Sequence, residues 1–590
     1  MEPARLGTSR QRPRRGSIER PVDLRLVRNL AAVVVLPLLL VVFTMARTGP
    51  LPAPDLPPAF DGATAAALTV ELAGDNANRV PGSPGAASAA QWFRDKLALY
   101  GLGVREDAWR EDVAGLGEVE LRNLAAVVPG TLDESIVFVA HRDNNGLSAG
   151  ANSDASGTAA LVELARAYAT AGTTESARTP LHTLVFLSAD AGAYGSLGVS
   201  RFVRHSPLAR NAVALVSLDG IAGSAEPRLE LGGLGAHSPP PALVRTADAR
   251  VAGERGAAPA HPGFLDQLVA LGLPFGFGAQ APALGEGIPA IRLTTASDGG
   301  TPPGGDEISG LDRTRLTELG RASETLLTSL DAAVELPTTT GGAIYLGERA
   351  VRGWAFALLL VAAVVPFGGA ALDLLSRCRR RRLALAPAGR ALRRRFGLWL
   401  VLLVLLGVAA LAGALPVSPQ LPPPPDQPPV DRWPVGAIAL GLIAAALVWL
   451  RARARLIPRG RARPEEDLAA YAVAFVALLG IAAWTALVSP YTLVFLLPSL
   501  YAWLVLPQLR RGPGWLTDVT FGIGLAGPVL VVVVLAKQLE LGLRAPLYAA
   551  SLLTTGVVPW GATLALVAWA AVASFVGAIA AGRYTAPSGR

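Results

Sequence analysis

Four side chains that are able to bind a metal or move a proton lie at or just beyond the ends of short apolar runs of the sequence. Histidine and carboxylate groups are ligands that zinc takes in catalytic sites. If the apolar runs are parallel strands, their carboxyl ends meet at the edge of the sheet where α/β proteins bind ligands. The sequence therefore predicts a candidate metal site at that edge. The four side chains are His141, Asp143, Asp190 and Asp219.

The segment around the first two of these residues has an informative order. An apolar run from Phe138 ends in His141-Arg-Asp143, a stretch rich in Gly and Ser covers residues 150–157, and helical spacing covers 158–169. This order predicts a strand, a turn and a helix. The His-x-Asp pair then lies at the end of the strand.

Further helical and strand-like runs surround this segment. Strands that alternate with helices form parallel sheets with helices on both faces. The predicted fold class is therefore α/β, with a mostly parallel, doubly wound sheet. The helical runs are 64–72 and 86–100, and the strand-like runs are 123–128, 136–140, 183–187, 213–218 and 289–293.

Apolar residues make up 51% of the chain and fall in blocks too long for an ordinary soluble core. The chain is therefore predicted to be an integral membrane protein with an all-α, multi-span membrane domain. For the first block a membrane anchor is favoured over a signal peptide cut near Ala46, because the basic region before it is long for a signal. The predicted division is a basic amino-terminal segment (1–28), an anchor (29–46), an α/β domain (47–349), a helical membrane domain of about seven spans (350–582) and a tail (583–590).

Arginine-rich loops alternate with a Pro-rich loop that is almost free of charge. The arginines cluster at 377–382, 393–395, 451–463 and 510–511, and the Pro-rich loop is 416–431. Positive loops stay on the cytoplasmic side, so we expect eight spans, cytoplasmic termini and an extracytoplasmic α/β domain. These loops largely explain the net charge of +8, which favours membrane lipids over nucleic acid as partners.

The apolar blocks contain no Asp, Glu, Lys, Arg or His. Ion-coupled transporters usually carry such groups in the membrane, so a transporter is the weakest alternative function. The last block, 547–581, is interrupted by Pro559 and is either a re-entrant piece followed by a helix or two short helices. Cys378 is the only cysteine, which leaves the α/β domain without a disulfide.

Several short motifs occur in the order found in a known enzyme family. They are 79–85 (RVPGSPG), 123–130 (NLAAVVPG), His141-x-Asp143, Ser156-Gly157 and 287–291 (GIPAI). In order and spacing they resemble the zinc aminopeptidases of the M28 family. The resemblance covers roughly 65–330 and implies a zinc-exopeptidase-like fold. It also implies proteolysis by a hydrolase with two zinc ions, which generate a nucleophilic water and polarise the peptide carbonyl.

The resemblance also implies a role for each candidate residue. His141 matches a zinc ligand, Asp219 matches another, and Asp143 matches the carboxylate that orients the ligating histidine. Asp190 stands as a shortened ligand at a position that the family fills with glutamate.

Three positions lack the group that the family needs. Ser153 stands at the shared aspartate, Ala189 at the catalytic base and Gln280 at the last histidine. Two zinc ions without a bridging anion repel one another strongly, so at most one weakly bound ion is expected. Loss of a positioned base typically lowers the rate by a factor of about 10² to 10⁴.

The leading functional hypothesis is therefore a catalytically impaired M28-like membrane protein, a pseudoenzyme. It would act as an extracytoplasmic peptide-binding or scaffolding module. The alternative is an active zinc aminopeptidase with an altered site. A plainer interpretation of the residues also stays open, in which His141 and Asp143 form a hydrogen-bonded pair, Asp190 belongs to a turn and Asp219 is a cap.

Overall fold

The computed structural model describes residues 21–168, 179–296, 304–415, 422, 434–456, 463–509 and 513–584. Several sequence predictions concern residues outside these ranges. The residues concerned are the first twenty, position 169, nearly all of the Pro-rich loop, Arg459, Arg461, Arg510, Arg511 and the tail from position 585.

The described residues form an α/β domain followed by a bundle of helices. The strands are β1 (Val104–Val113), β2 (Gly117–Val128), β3 (Leu132–His141), β4 (His182–Ala189), β5 (Ala212–Leu218), β6 (Arg228–Glu230), β7 (Ala290–Thr294), β8 (Ile344–Leu346) and β9 (Arg349–Val351). The helices up to the end of the α/β domain are α1 (Leu24–Ala31), α2 (Val35–Thr44), α3 (Gly62–Asp75), α4 (Pro84–Leu99), α5 (Gly157–Arg166), α6 (Leu197–His205), α7 (Pro241–Arg255), α8 (Phe264–Gly272), α9 (Gln280–Gly285) and α10 (Arg313–Asp331). The bundle contains α11 (Gly353–Arg380), α12 (Ala386–Leu411), α13 (Val435–Leu456), α14 (Pro464–Val488), α15 (Leu493–Leu509), α16 (Gly514–Gly524), α17 (Ala526–Gln538), α18 (Ala545–Thr554) and α19 (Trp560–Ala580).

The first seven strands form one sheet in the order β1-β2-β4-β3-β5-β7-β6. The central strands β4, β3, β5 and β7 are parallel, and β1, β2 and β6 add antiparallel edges. The predicted α/β class is confirmed, and all five predicted strands are present. The sequence analysis missed β1 and β6. The first is a half-exposed strand rich in charged residues, and the second has only three residues.

Strand β3 shows why the sheet is covered on both faces. Ile136, Phe138 and Ala140 pack into the larger core with α3, α5, α7 and α10. Val137 and Val139 pack into a second core with α6 and α9. Because successive side chains of a strand point to opposite faces, a continuous apolar run is what a doubly covered strand requires.

Among the described residues, six helices are long and apolar enough to cross a membrane. Helices α16 and α17 would form a seventh span, bent by 54° at their junction, and the apolar part of α13 is shorter. The 547–581 block contains the short helix α18 and the span-length helix α19, with Pro559 at the amino-terminal end of α19. These helices indicate a membrane protein, while the number of eight spans stays a prediction.

The α/β domain packs directly on the bundle. The Tyr491 hydroxyl donates to the Gly342 carbonyl at 3.2 Å, and the Thr492 hydroxyl donates to the Gly272 carbonyl at 2.5 Å. Leu268 of α8 shares an apolar cluster with Leu535 of α17. The contacts lie just before α15 and near the end of α17. These are the helix ends that the arginine pattern assigns to the extracytoplasmic side.

Candidate functional site

The carboxyl ends of the parallel strands bring the predicted residues together. His141 is the last residue of β3, Asp190 directly follows β4, and Asp219 directly follows β5. Arg292 extends from β7 into the same crevice and contacts Asp219. The edge that the sequence indicated is therefore the edge at which the structure gathers these charged groups.

His141 lies at the centre of the site, with 12% of its side chain exposed. Its Nε2 lies 3.1 Å from Asp219 Oδ1, and its Nδ1 lies 3.1 Å from the backbone oxygen of Asp143. Asp154 Oδ1 is 3.5 Å from Nδ1. A Cβ atom at position 192 would lie 2.3 Å from His141 Cβ, so Gly192 is required for the backbone to cover this histidine.

Asp143 mainly holds the backbone that covers His141. Its two carboxylate oxygens accept from Gly192 N at 2.7 Å and from Ala193 N at 3.0 Å. The Asp143 carboxylate lies 3.5 Å from His141 Nδ1, farther than the residue's own carbonyl. Both groups lie close to the His141 ring, while the role of Asp143 in orienting a metal-ligating histidine stays a prediction.

Asp219 and Asp190 each have a buried arginine partner. Arg292 Nε lies 2.6 Å from Asp219 Oδ2, and Arg142 Nη2 donates to Asp190 Oδ2 at 2.8 Å. Asp190 also accepts from the backbone N–H groups of Arg122 and Ala191, each at 2.9 Å. Both carboxylates therefore have protein cations where the M28 resemblance implies metal cations.

Ser153 and Asp154 point in different directions. The Ser153 hydroxyl donates to Asp306 Oδ2 at 2.5 Å, while Asp154 points towards His141 and lies 3.5 Å from Arg79. These residues belong to one turn of π-helix, Ala151–Ser156, which opens directly into α5. Since a π-helix has a wider turn than an α-helix, it shifts the direction of successive side chains.

The other two altered positions carry no metal ligand into the crevice. Ala189 ends β4, is fully buried and pairs in register with His141 of β3. Gln280 begins α9, and its Nε2 donates to the carbonyls of Gly232 and Phe277 at 3.1 Å and 2.7 Å. Ala189 has no group that could act as a base, and the Gln280 amide nitrogen is bound to backbone.

The acids of the site are driven towards different charge states. Burial raises the pKa of Asp154 to about 8, against the opposing effect of His141 and Arg79. Burial also acts to raise the pKa of Asp219, but Arg292 and His141 outweigh it and hold that pKa well below its usual value. Burial disfavours protonation of His141, but the carboxylates of Asp219, Asp143 and Asp154 raise its pKa well above normal. A histidinium bound to ionised Asp219 is the consistent arrangement.

These residues do not fit a centre with two zinc ions. No group of three His, Cys, Asp or Glu side chains suitable for a metal occurs in the described part of the chain. Catalytic zinc needs three protein ligands, and here Asp190 and Asp219 already have arginine partners. A guanidinium beside each surviving ligand opposes the approach of a dication.

The contribution of Asp154 to the stability of the folded protein is expected to fall as the pH rises. Its pKa is raised in the folded state, so its stabilising contribution is complete below about pH 4 and is lost by about pH 8. Asp154→Asn should therefore flatten the fall of the thermal midpoint between these two pH values. The measurement is thermal unfolding of the full chain in lipid nanodiscs. The exposed Asp75→Asn is the control, and an equal fall in wild type and Asp154→Asn would contradict the prediction.

Comparison with known proteins assigns this region to a class. Residues 123–257 match the model of Peptidase family M28, so this part of the chain is similar to a peptidase domain of that family. No curated protein sequence matches the chain significantly.

Solved structures similar to the chain include zinc aminopeptidases and glutaminyl cyclases. The zinc aminopeptidase BSAP from Bacillus subtilis is 13% identical, covers 48% of this chain and 98% of its own, and has a TM-score of 0.38. Glutaminyl cyclase from Porphyromonas gingivalis is 18% identical, covers 46% of this chain and 98% of its own, and has a TM-score of 0.34. Glutaminyl cyclase from an Acidobacteriales bacterium is 19% identical, covers 48% of this chain and 99% of its own, and has a TM-score of 0.37.

The sequence analysis did not assign three charged residues that contact the site, namely Arg79, Arg292 and Asp306. Arg79 lies in the motif at 79–85, and its guanidinium donates to the carbonyls of Asn76, Arg142, Ala149 and Gly150. Arg292 lies in a buried strand, where an arginine is an unusual residue. A charged residue inside an apolar run was the available signal for Arg292. Asp306 follows a segment of turn residues and had no comparable signal.

Proposed function

We propose that the α/β domain is a non-catalytic member of the M28 family that acts outside the cytoplasm as a peptide-binding or scaffolding module on a membrane bundle. One observation carries the proposal: the carboxylates that the M28 resemblance assigns to zinc are paired with buried arginines. Arg142 and Asp190 have only 1% and 3% of their side chains exposed, and Arg292 and Asp219 have 8% and 9%. Buried charge pairs of this kind are costly to separate.

The loss of the base at the family's position supports the same proposal. Ala189, at the family's base position, has no group that takes a proton, and neighbouring Asp190 is bound by Arg142. A base must reach the attacking water by a hydrogen bond in order to activate it. The proposed peptide would bind at the strand ends, where α/β folds place their ligands, and its binding would not require a base.

The alternative is an active zinc aminopeptidase with an altered site. It is favoured by the position of His141 Nε2, 3.1 Å from Asp219 Oδ1, together with the approach of Asp154 to the other ring nitrogen. Such a site would have to displace Arg292 from Asp219. In the described residues it would also lack a free carboxylate near Ala189 to serve as the base.

Peptidase assays distinguish the two functions. The full chain in nanodiscs, with zinc added, should not hydrolyse chromogenic aminoacyl substrates, and His141→Ala should give the same background. Binding of tripeptides without turnover, measured by calorimetry on the same sample, would support the binding module. Turnover that a chelator stops and His141→Ala abolishes would establish the active peptidase instead.

The proposed orientation has its own test. In a Cys378→Ser background, Ser418→Cys in the Pro-rich loop should react with a membrane-impermeant maleimide added to intact cells. Gly460→Cys in an arginine-rich loop is the matched control and should react only after permeabilisation. The reverse labelling pattern would invert the topology and place the α/β domain in the cytoplasm.

A further inference from the structure

A pocket lies among the helices of the bundle, in the half that is nearer to the α/β domain. Its walls come from the end of α14, the residues just before α15 and its first turn, the start of α19, and Pro528 of α17. The pocket has a volume of about 160 Å³. Apolar cavities of about 150 Å³ bind molecules of the size of benzene, so this pocket has room for a segment of a hydrocarbon chain.

The pocket opens on the outer surface of the bundle. Trp484, Val488 and Leu566 line it, and they are 48%, 57% and 40% exposed. No charged residue lines the pocket in the part of the chain that the structure describes. Helices α14, α15 and α19 belong to segments long and apolar enough to cross a membrane. In a membrane, the opening would therefore face the hydrocarbon tails of the lipids.

Three polar groups of the lining already have partners inside the protein. The indole N–H groups of Trp484 and Trp569 donate to the Gly561 carbonyl at 3.3 Å and to the Ser499 hydroxyl at 2.9 Å. The Thr492 hydroxyl donates to a backbone carbonyl of α8. A buried water needs polar partners, and so does the backbone of a peptide in hydrocarbon. A hydrocarbon chain needs none, and it supplies the van der Waals contacts that the walls of an empty pocket lose.

We propose that this pocket holds one acyl chain of a phospholipid from the membrane leaflet next to the α/β domain. The headgroup stays near Ser489, where α14 ends, and the chain runs inwards past Trp484 to Trp569. Close packing drives the binding, because lipid tails and apolar side chains are equally apolar. Phe495 lines the pocket and shares an apolar cluster with Leu268 of α8. The bound chain therefore packs against a residue that supports the α/β domain.

Native mass spectrometry of the full chain, transferred from nanodiscs into detergent, tests whether one lipid is held. Lipids on the open surface of the bundle dissociate in detergent, so the wild type should retain one phospholipid per chain. Ala565→Phe and Ala562→Leu each fill the pocket from the wall of α19 and should lose that lipid. The control is Ala446→Phe on the exposed face of α13, which should retain it. Equal retention by the filled variants and the wild type would overturn the proposal, and so would a retained molecule that is not a phospholipid.

Photocrosslinking in nanodiscs locates the chain and separates this proposal from the membrane placement on which it rests. The probe is phosphatidylcholine with a diazirine in the middle of one acyl chain. Its crosslinks should concentrate on 481–489 and 562–569 in the wild type and in Ala446→Phe. In Ala565→Phe they should fall to the level of other exposed helix faces. Crosslinks spread evenly over the bundle would overturn the pocket alone, while a bundle without any crosslinks would contradict the membrane placement as well.

Discussion

Restoring the four altered family positions should not be enough to restore a zinc centre. In a full chain carrying Ser153→Asp, Ala189→Glu, Asp190→Glu and Gln280→His, we expect zinc content far below two ions per chain. Arg142 and Arg292 still occupy the crevice and hold the carboxylates at positions 190 and 219. At an effective dielectric constant of about 20, a dication and a guanidinium about 5 Å apart repel by roughly 7 kcal/mol.

Adding Arg142→Gln and Arg292→Gln to the repaired chain should raise the zinc content and allow aminopeptidase turnover. Any single change should do little, because groups that act as one unit are strongly non-additive. The readouts are metal analysis after dialysis and hydrolysis of a chromogenic aminoacyl substrate. The matched control adds Arg313→Gln and Arg321→Gln, which lie on the exposed face of α10. Two tightly bound zinc ions in the wild type or in the control chain would show that the arginines do not exclude the metal.

Loss of the buried Arg142 side chain should destabilise the α/β domain by about 3 to 5 kcal/mol, because it leaves Asp190 uncompensated. Arg142 also donates to the Ser188 carbonyl at 3.1 Å and to the Arg122 carbonyl at 2.5 Å. We expect Arg142→Met to lower the thermal midpoint of the full chain by roughly 10 °C. Without Arg142, Asp190 should be protonated at neutral pH, since burial already raises the pKa of Asp190 in the intact pair.

The control for this loss is an ion pair on the surface. Arg94 lies 2.9 Å from Glu106, and both side chains are partly exposed. Arg94→Met should cost no more than about 1 kcal/mol. The double variant Arg142→Met, Asp190→Asn should lose less stability than the sum of the two single variants, because the two side chains interact directly. Strictly additive losses would mean that Arg142 acts through its carbonyl contacts alone.

The pairs Arg142–Asp190 and Arg292–Asp219 make this site chemically different from a metal centre. In a zinc enzyme the cation binds reversibly and leaves a coordination position open for water. A guanidinium is part of the chain, remains charged and has only N–H donors to offer. Arg142 and Arg292 therefore neutralise their carboxylates without supplying an activated water. This chemical difference is why we favour binding or scaffolding over hydrolysis.

The sequence by itself determined the elements and their approximate positions. The apolar run of β3, the Gly-rich turn and the helical spacing of α5 are local patterns, and each predicts its element without knowledge of the rest of the chain. Because parallel strands end at one edge, the same patterns placed His141, Asp190 and Asp219 near one another. The long apolar blocks likewise determined the helices able to cross a membrane.

Only the tertiary structure decided which side chains the acids contact. Arg79 meets Asp154, Arg142 meets Asp190 and Arg292 meets Asp219 across gaps of many tens of residues. A π-helix turned Asp154 towards His141 and Ser153 towards Asp306, a direction that α-helical spacing does not give. Hydrogen bonds form only when their heavy atoms come within about 3 Å. Whether two such groups come within that distance depends on strand register, helix type and packing along the whole domain, which no local pattern of residues records.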